Sequence, residues 1–128
     1  MEKNNLLIDS QILIWSQHEP EKLSKKARDF LLDDRLIKWV SVVSIWELTV
    51  KITKGTLKFD FNWNHLFENQ PFELLKVEVN HIDKTRTLPF IHKDPFDRLL
   101  IAQSIVEGIP LITSDKQIQL YDFPHFKA

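Results

Sequence analysis

Two carboxylates within residues 92–103 stand at the opening of a predicted helix. Asp94 takes the N-cap position, and Pro95 takes the first helical position, where its missing N–H is no loss. Asp97 therefore falls on the first turn, at the mouth of the helix. Capping accounts for Asp94, whereas Asp97 is either an acid that stabilises the helix dipole or a ligand for a cation.

Two more acids follow short apolar runs that predict buried strands. Asp9 ends the run at 6–8, and Asp115 follows the run at 109–113. In an open sheet of parallel strands, ligands bind beyond the carboxyl ends of the strands. We therefore expect these acids to share one rim with Asp97.

Several acids in one pocket favour metal chemistry. Carboxylates a few ångströms apart repel one another, which raises their pKa values and destabilises the fold unless a cation neutralises them. Hard oxygen ligands select Mg²⁺ or Mn²⁺ over zinc or copper. Such an ion lowers the pKa of water, orients it for in-line attack and stabilises charge on a phosphodiester, which is the chemistry of nucleases.

Composition limits the alternatives. With 128 residues the chain is predicted to be one domain, 1–128, and its mixed charges and short apolar runs indicate a cytoplasmic protein without a membrane span or signal peptide. The absence of cysteine excludes disulfides, thiolate zinc sites and cysteine nucleophiles. The net charge of −1 neither supports nor excludes nucleic-acid binding, because local potential matters more than the sum.

Other catalytic motifs are missing. The chain has two glycines, both explained as helix ends, so phosphate-binding glycine loops are excluded. Its five histidines form no zinc-hydrolase pair and are each predicted to lie at the surface. There is no Gly-x-Ser-x-Gly elbow for a serine nucleophile.

Alternating strands and helices predict a three-layer α/β/α domain with a mostly parallel central sheet of four to five strands. Trp15, Trp39 and Trp46 fall at predicted core positions. Strands are predicted at 6–8, 37–40, 74–79 and 109–113, with a possible edge strand at 123–126. Helices are predicted at 10–17, 24–33, 42–54, 63–69 and 82–88 and after Asp94, with a last short helix opened by Asp115.

At these residues the sequence resembles the PIN-domain family, most closely the VapC-type ribonuclease toxins of bacterial toxin-antitoxin pairs. The resemblance spans nearly the whole chain, and its specificity lies in the order of several motifs. These are Leu7-Ile8-Asp9-Ser10 with Leu13-Ile14-Trp15, Ser41 to Glu47, Asp94 to Gln103, and Gly108 to Asp115.

The resemblance implies an acidic quartet of Asp9, Glu47, Asp97 and Asp115. In it Asp9 and Asp97 bind Mg²⁺ or Mn²⁺ directly, and the other two bind through water or a second ion. The hydroxyls of Ser10 and Thr113 would orient carboxylates or water. Ser10 stands where threonine is common, and Gln11 stands where many relatives have histidine.

The same resemblance implies endonucleolytic cleavage of RNA that leaves a 5′-phosphate, a homodimer, and a cognate antitoxin that covers the site. Lys51, Lys93 and Lys116 near the mouth could contact RNA or a partner, and so could Arg98, although it points away from Asp97.

Two other readings of the acids stay open. The first is a non-catalytic interaction or RNA-binding domain that keeps the acids as a cation-binding patch. The second, a receiver domain or an aspartate-nucleophile phosphatase, is disfavoured. The former needs an acidic pair after the first strand and the latter Asp-x-Asp, whereas Ser10 and Gln11 follow Asp9.

Overall fold

A parallel sheet lies at the centre of the structure, a computed structural model that describes residues 4–128. Within those residues the sheet has five strands in the order β3-β2-β1-β4-β5, and every neighbouring pair is parallel. The strands are β1 (Asn4–Ile8), β2 (Leu36–Ser41), β3 (Phe72–Leu75), β4 (Leu111–Thr113) and β5 (His125–Lys127). The predicted α/β class with a central sheet of four to five strands is confirmed, and the sheet is fully parallel.

Helices cover the sheet and connect its strands. They are α1 (Ser10–His18), α2 (Lys25–Leu32), α3 (Val42–Thr53), α4 (Trp63–Glu68), α5 (Val79–Lys84) and α6 (Pro95–Glu107), with short 3-10 turns at 20–22, 85–87 and 118–120. Among residues 4–128, no helix combines the length and the apolar character that crossing a bilayer requires.

Successive residues of β1 point to opposite faces of the sheet and supply two separate cores. Leu6 and Ile8 pack with α1, α2 and α4, whereas Leu7 packs with α6 on the other face. Because β1 is fully buried from Leu6 onward and sits between β2 and β4, its carboxyl end opens in the middle of the sheet. Asp9 follows directly at that point.

Most element boundaries differ from the sequence prediction by one or two residues, and two elements are shifted further. The third strand was expected at 74–79 but occupies Phe72–Leu75, where Phe72 and Leu75 are buried. The helix expected at 82–88 begins earlier, at Val79, and continues into a 3-10 turn. The prediction of one domain covering 1–128 includes residues 1–3, which lie outside the described residues.

Two predictions about burial were wrong. Trp46 was placed in the core, but it is 59% exposed and packs edge-on against Phe96 with 4.8 Å between ring centroids. The histidines were all expected at the surface, yet His81 is fully buried. Its ring accepts a hydrogen bond from the Glu78 N–H at 2.9 Å and contacts Glu107 at 2.7 Å, so its polar atoms are satisfied inside the fold.

Candidate metal centre

The four predicted acids meet in one pocket beyond the carboxyl ends of β1 and β4. Asp9 and Asp115 follow those strands, Glu47 comes from α3, and Asp97 comes from the first turn of α6. The pocket has a volume of about 220 Å³. Its lining residues are Asp9, Ser10, Gln11, Glu47, Lys51, His92, Asp94, Asp97 and Asp115.

Asp9 is buried and held at both carboxylate oxygens. Its Oδ1 accepts hydrogen bonds from the N–H groups of Gln11 at 2.6 Å and Ile12 at 3.2 Å, so Asp9 also caps α1. Its Oδ2 accepts a hydrogen bond from the hydroxyl of Thr113. Capping and site formation are therefore two roles of the same side chain.

Glu47 lies on the second turn of α3 and is only 7% exposed. The Ser10 hydroxyl donates to its Oε1 at 2.9 Å, and Lys51, one turn later on the same helix, lies 3.0 Å from its Oε2. A buried carboxylate without such partners would be costly. Ser10 thus contacts the Glu47 carboxylate directly.

Asp97 receives a hydrogen bond from a side chain that the sequence reading did not include. The Nε2 of His92 lies 2.8 Å from Oδ2 of Asp97. Asp94 accepts from the N–H groups of Phe96 at 2.8 Å and Asp97 at 3.2 Å, which confirms its predicted capping role. One ligand atom from each of His92, Asp94 and Asp97 lies within 4.8 Å of the others, so these three could also approach one ion.

Thr113 connects the acids that follow β1 and β4. Besides donating to Asp9, its hydroxyl accepts from the Asp115 N–H at 3.0 Å. The Asp115 carboxylate accepts from the N–H groups of Gln117 at 2.8 Å and Ile118 at 3.2 Å, and so caps the turn that leads to residues 118–120. This position agrees with the predicted helix opening and still borders the pocket.

The electrostatics of the pocket disfavour negative charge. Burial raises the pKa of Asp9 from 3.8 to about 6 despite its hydrogen bonds, and Glu47 adds to the rise. Burial, followed by the charges of Asp94 and Glu47, raises the pKa of Asp97 to about 7. Partial burial acts to lower the pKa of Lys51, but the Glu47 contact and the nearby acids raise it overall. The acids therefore carry a repulsion that a cation would relieve.

The predicted basic contacts lie in two different environments. Lys51 lines the pocket, and Lys93 and Lys116 are exposed beside His92 and Asp115. Arg98 is only 8% exposed, and its guanidinium donates to main-chain carbonyls and the Tyr121 hydroxyl. Arg98, which was predicted as a possible contact for RNA or a partner, holds the loop before α6 through these bonds.

His92, Gln11 and Tyr121 belong to this region without having been predicted as site residues. Gln11 lines the pocket, and Tyr121 contacts the main chain of His92. His92 stands just before the Asp94 cap, and that proximity was the one signal available. The direction of the His92 side chain depends on the path of the loop, and the sequence of this loop has no periodic pattern from which that path could be predicted.

The fold and pocket define an α/β domain with an acidic centre at the carboxyl edge of a parallel sheet. Residues 6–124 match the family model described as the PIN domain, and the chain belongs to the PIN domain family. PIN domains are generally nucleases. The resemblance inferred from the ordered motifs is thereby confirmed.

Several solved structures share this fold, and one of them is a toxin-antitoxin complex. VapBC2 from Rickettsia felis, bound to a DNA fragment from its promoter, is 15% identical with a TM-score of 0.73, covering 97% of this chain and 98% of that one. FitAcB from Neisseria gonorrhoeae (TM-score 0.66) and a toxin-antitoxin complex from Klebsiella pneumoniae (TM-score 0.65) are also 15% identical, each covering 95% of this chain and 96% of the other. At this identity the likeness concerns the fold. No curated protein matches the sequence significantly.

Proposed function

We propose that this PIN domain is a Mg²⁺- or Mn²⁺-dependent RNA endonuclease and the toxin of a toxin-antitoxin pair. The observation that carries the proposal is the convergence of Asp9, Glu47, Asp97 and Asp115, from four separate elements, on one pocket. Helix capping explains why a single acid stands at the start of a helix, but it does not explain why four acids from separate elements meet in one pocket. A family whose members are generally nucleases provides the chemical context.

The residues fit a divalent ion. The pocket offers carboxylate oxygens, the donors that Mg²⁺ and Mn²⁺ prefer. Among residues 4–128, Lys51 is the one lysine or arginine that lines the pocket, and it is paired with Glu47. Asp9 and Asp97, whose pKa values are raised most, have no lysine or arginine partner among the described residues.

Asp9 and Asp97 are therefore proposed as the direct ligands, with Glu47 and Asp115 acting through water or a second ion. When bound, the metal would supply an activated water and stabilise charge on the scissile phosphate. The protein's own contribution is orientation. Thr113 holds Asp9, and Ser10 holds Glu47, so these carboxylates are oriented before any ligand arrives.

The proposed substrate and cellular location rest on the family resemblance, and the lysines around the pocket also support the substrate. Lys51, Lys93 and Lys116 provide positive charge near the acids, suited to the phosphates that flank the cleaved bond in RNA. Phosphate contacts of this kind position a nucleic acid without reading its sequence. Cleavage is proposed to leave a 5′-phosphate, in the cytoplasm.

The partner proposals rest on the structural neighbours and on the resemblance. The neighbour from Klebsiella pneumoniae is a toxin-antitoxin complex, and those from Rickettsia felis and Neisseria gonorrhoeae are VapBC2 and FitAcB. We infer for this chain a cognate antitoxin that covers the acidic pocket and a homodimeric state. Sedimentation of the purified chain, alone and with the product of a neighbouring small gene, tests both.

A turnover assay with end-labelled RNA tests the activity. We expect cleavage with Mg²⁺ or Mn²⁺, none with a chelator, and a loss of at least 100-fold in Asp9→Asn and Asp97→Asn. Asp34→Asn, which changes an exposed acid on the turn before β2, is the matched control and should cleave normally. Cleavage that survives in Asp97→Asn would reject the proposal. Metal binding without cleavage would favour the non-catalytic alternative.

A further inference from the structure

The side chain of His92 is directed at the acidic pocket by contacts that the nuclease proposal does not use. Its Nε2 lies 2.8 Å from Oδ2 of Asp97, and the imidazole is mostly buried, with 24% of the side chain exposed. A carboxylate that binds a metal is ionised and only accepts hydrogen bonds, so in that form of the site Nε2 carries the hydrogen. Among the described residues, Oδ1 of Asp97 has no hydrogen-bond donor, which leaves that oxygen available to a ligand.

The main chain of His92 is held by Tyr121. The Tyr121 hydroxyl accepts from the His92 N–H at 2.9 Å and donates to the His92 carbonyl at 3.3 Å. Tyr121 is only 3% exposed and lies in the core beneath the sheet. A reciprocal pair of bonds to one buried hydroxyl fixes both the position and the orientation of this peptide.

Arg98 fixes the loop on the other side. Its Nη1 donates to the Pro89 carbonyl at 2.8 Å and to the Tyr121 hydroxyl at 3.2 Å. Its Nη2 donates to the carbonyls of Thr85 at 2.8 Å and Leu88 at 3.2 Å. Arg98, the residue next to Asp97 on α6, thus holds the loop from which the side chain of His92 contacts Asp97.

We propose that His92 is a positioning residue for Asp97, and that Tyr121 and Arg98 hold it in place for this task. This inference rests on the proposed function, in which Asp97 binds the metal. With Oδ2 occupied by the imidazole N–H, rotation of the carboxylate is restricted and Oδ1 is presented in one orientation. Outer hydrogen bonds of this kind orient metal ligands and raise affinity.

A different role for the imidazole would be direct metal binding, since His92, Asp94 and Asp97 offer atoms within 4.8 Å of one another. The geometry favours positioning, because the nitrogen nearest to the acids is already engaged with Asp97. The two roles differ in metal preference. A nitrogen ligand suits Mn²⁺ better than Mg²⁺, so losing it would weaken Mn²⁺ selectively, whereas losing an orienting contact weakens both ions alike.

The experiment compares wild type with His92→Ala, His92→Gln and the control His65→Ala, an exposed histidine on α4 outside the pocket. Mn²⁺ affinity is measured from the electron paramagnetic resonance signal of the free ion, and Mg²⁺ affinity by competition. We expect His92→Ala to weaken both ions by about 10-fold or more. His92→Gln, which keeps a donor N–H at similar reach, should recover most of the loss, and kcat should fall in His92→Ala with KM for RNA unchanged.

Four results would overturn the inference. If His92→Ala binds both ions as tightly as wild type, His92 does not position Asp97. If the variant loses affinity for Mn²⁺ alone, the imidazole is a metal ligand instead. A raised KM with unchanged metal affinity makes His92 an RNA contact. A large drop in the melting temperature of the metal-free protein, not restored by glutamine, makes it a structural residue. If wild type itself binds neither ion, the proposed function fails first, which separates the two failures.

Discussion

The hydroxyl of Thr113 donates a hydrogen bond to Oδ2 of Asp9, a residue 104 positions earlier in the chain. The contact forms because β1 and β4 are parallel neighbours, with Ile8 opposite Ile112. Asp9, which follows Ile8, and Thr113, which follows Ile112, therefore reach the same edge of the sheet. The same hydroxyl accepts from the Asp115 N–H. One buried side chain therefore fixes both acids that follow the central strands.

Replacing Thr113 with valine should weaken metal binding. The substitution keeps the shape but leaves Oδ2 of Asp9 and the Asp115 N–H without this partner, and each lost bond to a buried polar group costs about 1–3 kcal/mol. We expect a lower free energy of unfolding and an affinity for Mn²⁺ reduced by about 10-fold. Calorimetric titration measures the second effect, and Thr113→Ser, which retains the hydroxyl, should differ little from wild type.

The stability of the metal-free protein should depend on pH through Asp97. Its pKa of about 7 in the folded state exceeds the ordinary value of 3.8, so between these values the folded chain binds more protons than the unfolded chain. The free energy of unfolding therefore falls as pH rises from about 4 to 7, by roughly 1.4 kcal/mol for each unit of pKa difference at most.

Urea denaturation of Asp97→Asn beside wild type isolates this contribution. In chelator, the two should be nearly equally stable around pH 4, and the variant should become more stable as pH approaches 8, by a few kcal/mol. Mg²⁺ should then raise the stability of wild type more than that of the variant. A difference between the two proteins that is the same at every pH contradicts the explanation from burial.

Lys51 should affect metal and RNA binding in opposite directions. Its ammonium lies 3.0 Å from Oε2 of Glu47, so removing it leaves the pocket more negative. Lys51→Ala should bind Mn²⁺ a few times more tightly and RNA more weakly, and the slope of log affinity for RNA against log salt should decrease by about one.

Lys58→Ala is the matched control for that experiment, because Lys58 is exposed and does not line the pocket. It should leave Mn²⁺ affinity unchanged. If Lys51→Ala weakens both ligands together, the ammonium stabilises the site rather than competing with the ion. RNA affinity is measured by fluorescence anisotropy in a chelator so that no cleavage occurs.

The placement of the acids could be predicted because it follows from local rules. An apolar run that ends at Asp9 predicts a strand end, and Asp94-Pro95 predicts a helix start that puts Asp97 on the first turn. Parallel topology then brings the strand ends together. These signals depend on neighbours in sequence, and the structure agrees with them.

The residues that could not be predicted depend on tertiary contacts. Trp46 is apolar and was expected in the core, but it lies mostly exposed on α3, with its ring packed against Phe96 on the first turn of α6. His92 and His81 have no periodic neighbours that reveal burial. Their places are set by hydrogen bonds to residues on other elements, Asp97 and Glu107.

Arg98→Lys tests whether one guanidinium holds the loop that presents His92. Arginine donates to Thr85, Leu88, Pro89 and Tyr121 from a planar fork, and a lysine ammonium keeps the charge but cannot reach all of these acceptors. Because the bonds to the Leu88 carbonyl and the Tyr121 hydroxyl are buried, we expect the free energy of unfolding to fall by roughly 2–4 kcal/mol.

The same variant should also bind Mn²⁺ more weakly at temperatures where it stays folded, because a looser loop no longer fixes the imidazole against Asp97. Urea unfolding followed by tryptophan fluorescence gives the first quantity, and Mn²⁺ titration below the unfolding transition gives the second. Arg86→Lys, at an exposed arginine paired with Asp83, provides the comparison and should change neither. If Arg98→Lys is clearly destabilised but binds Mn²⁺ as tightly as wild type, the loop keeps its geometry without the guanidinium. The acidic pocket then does not depend on Arg98.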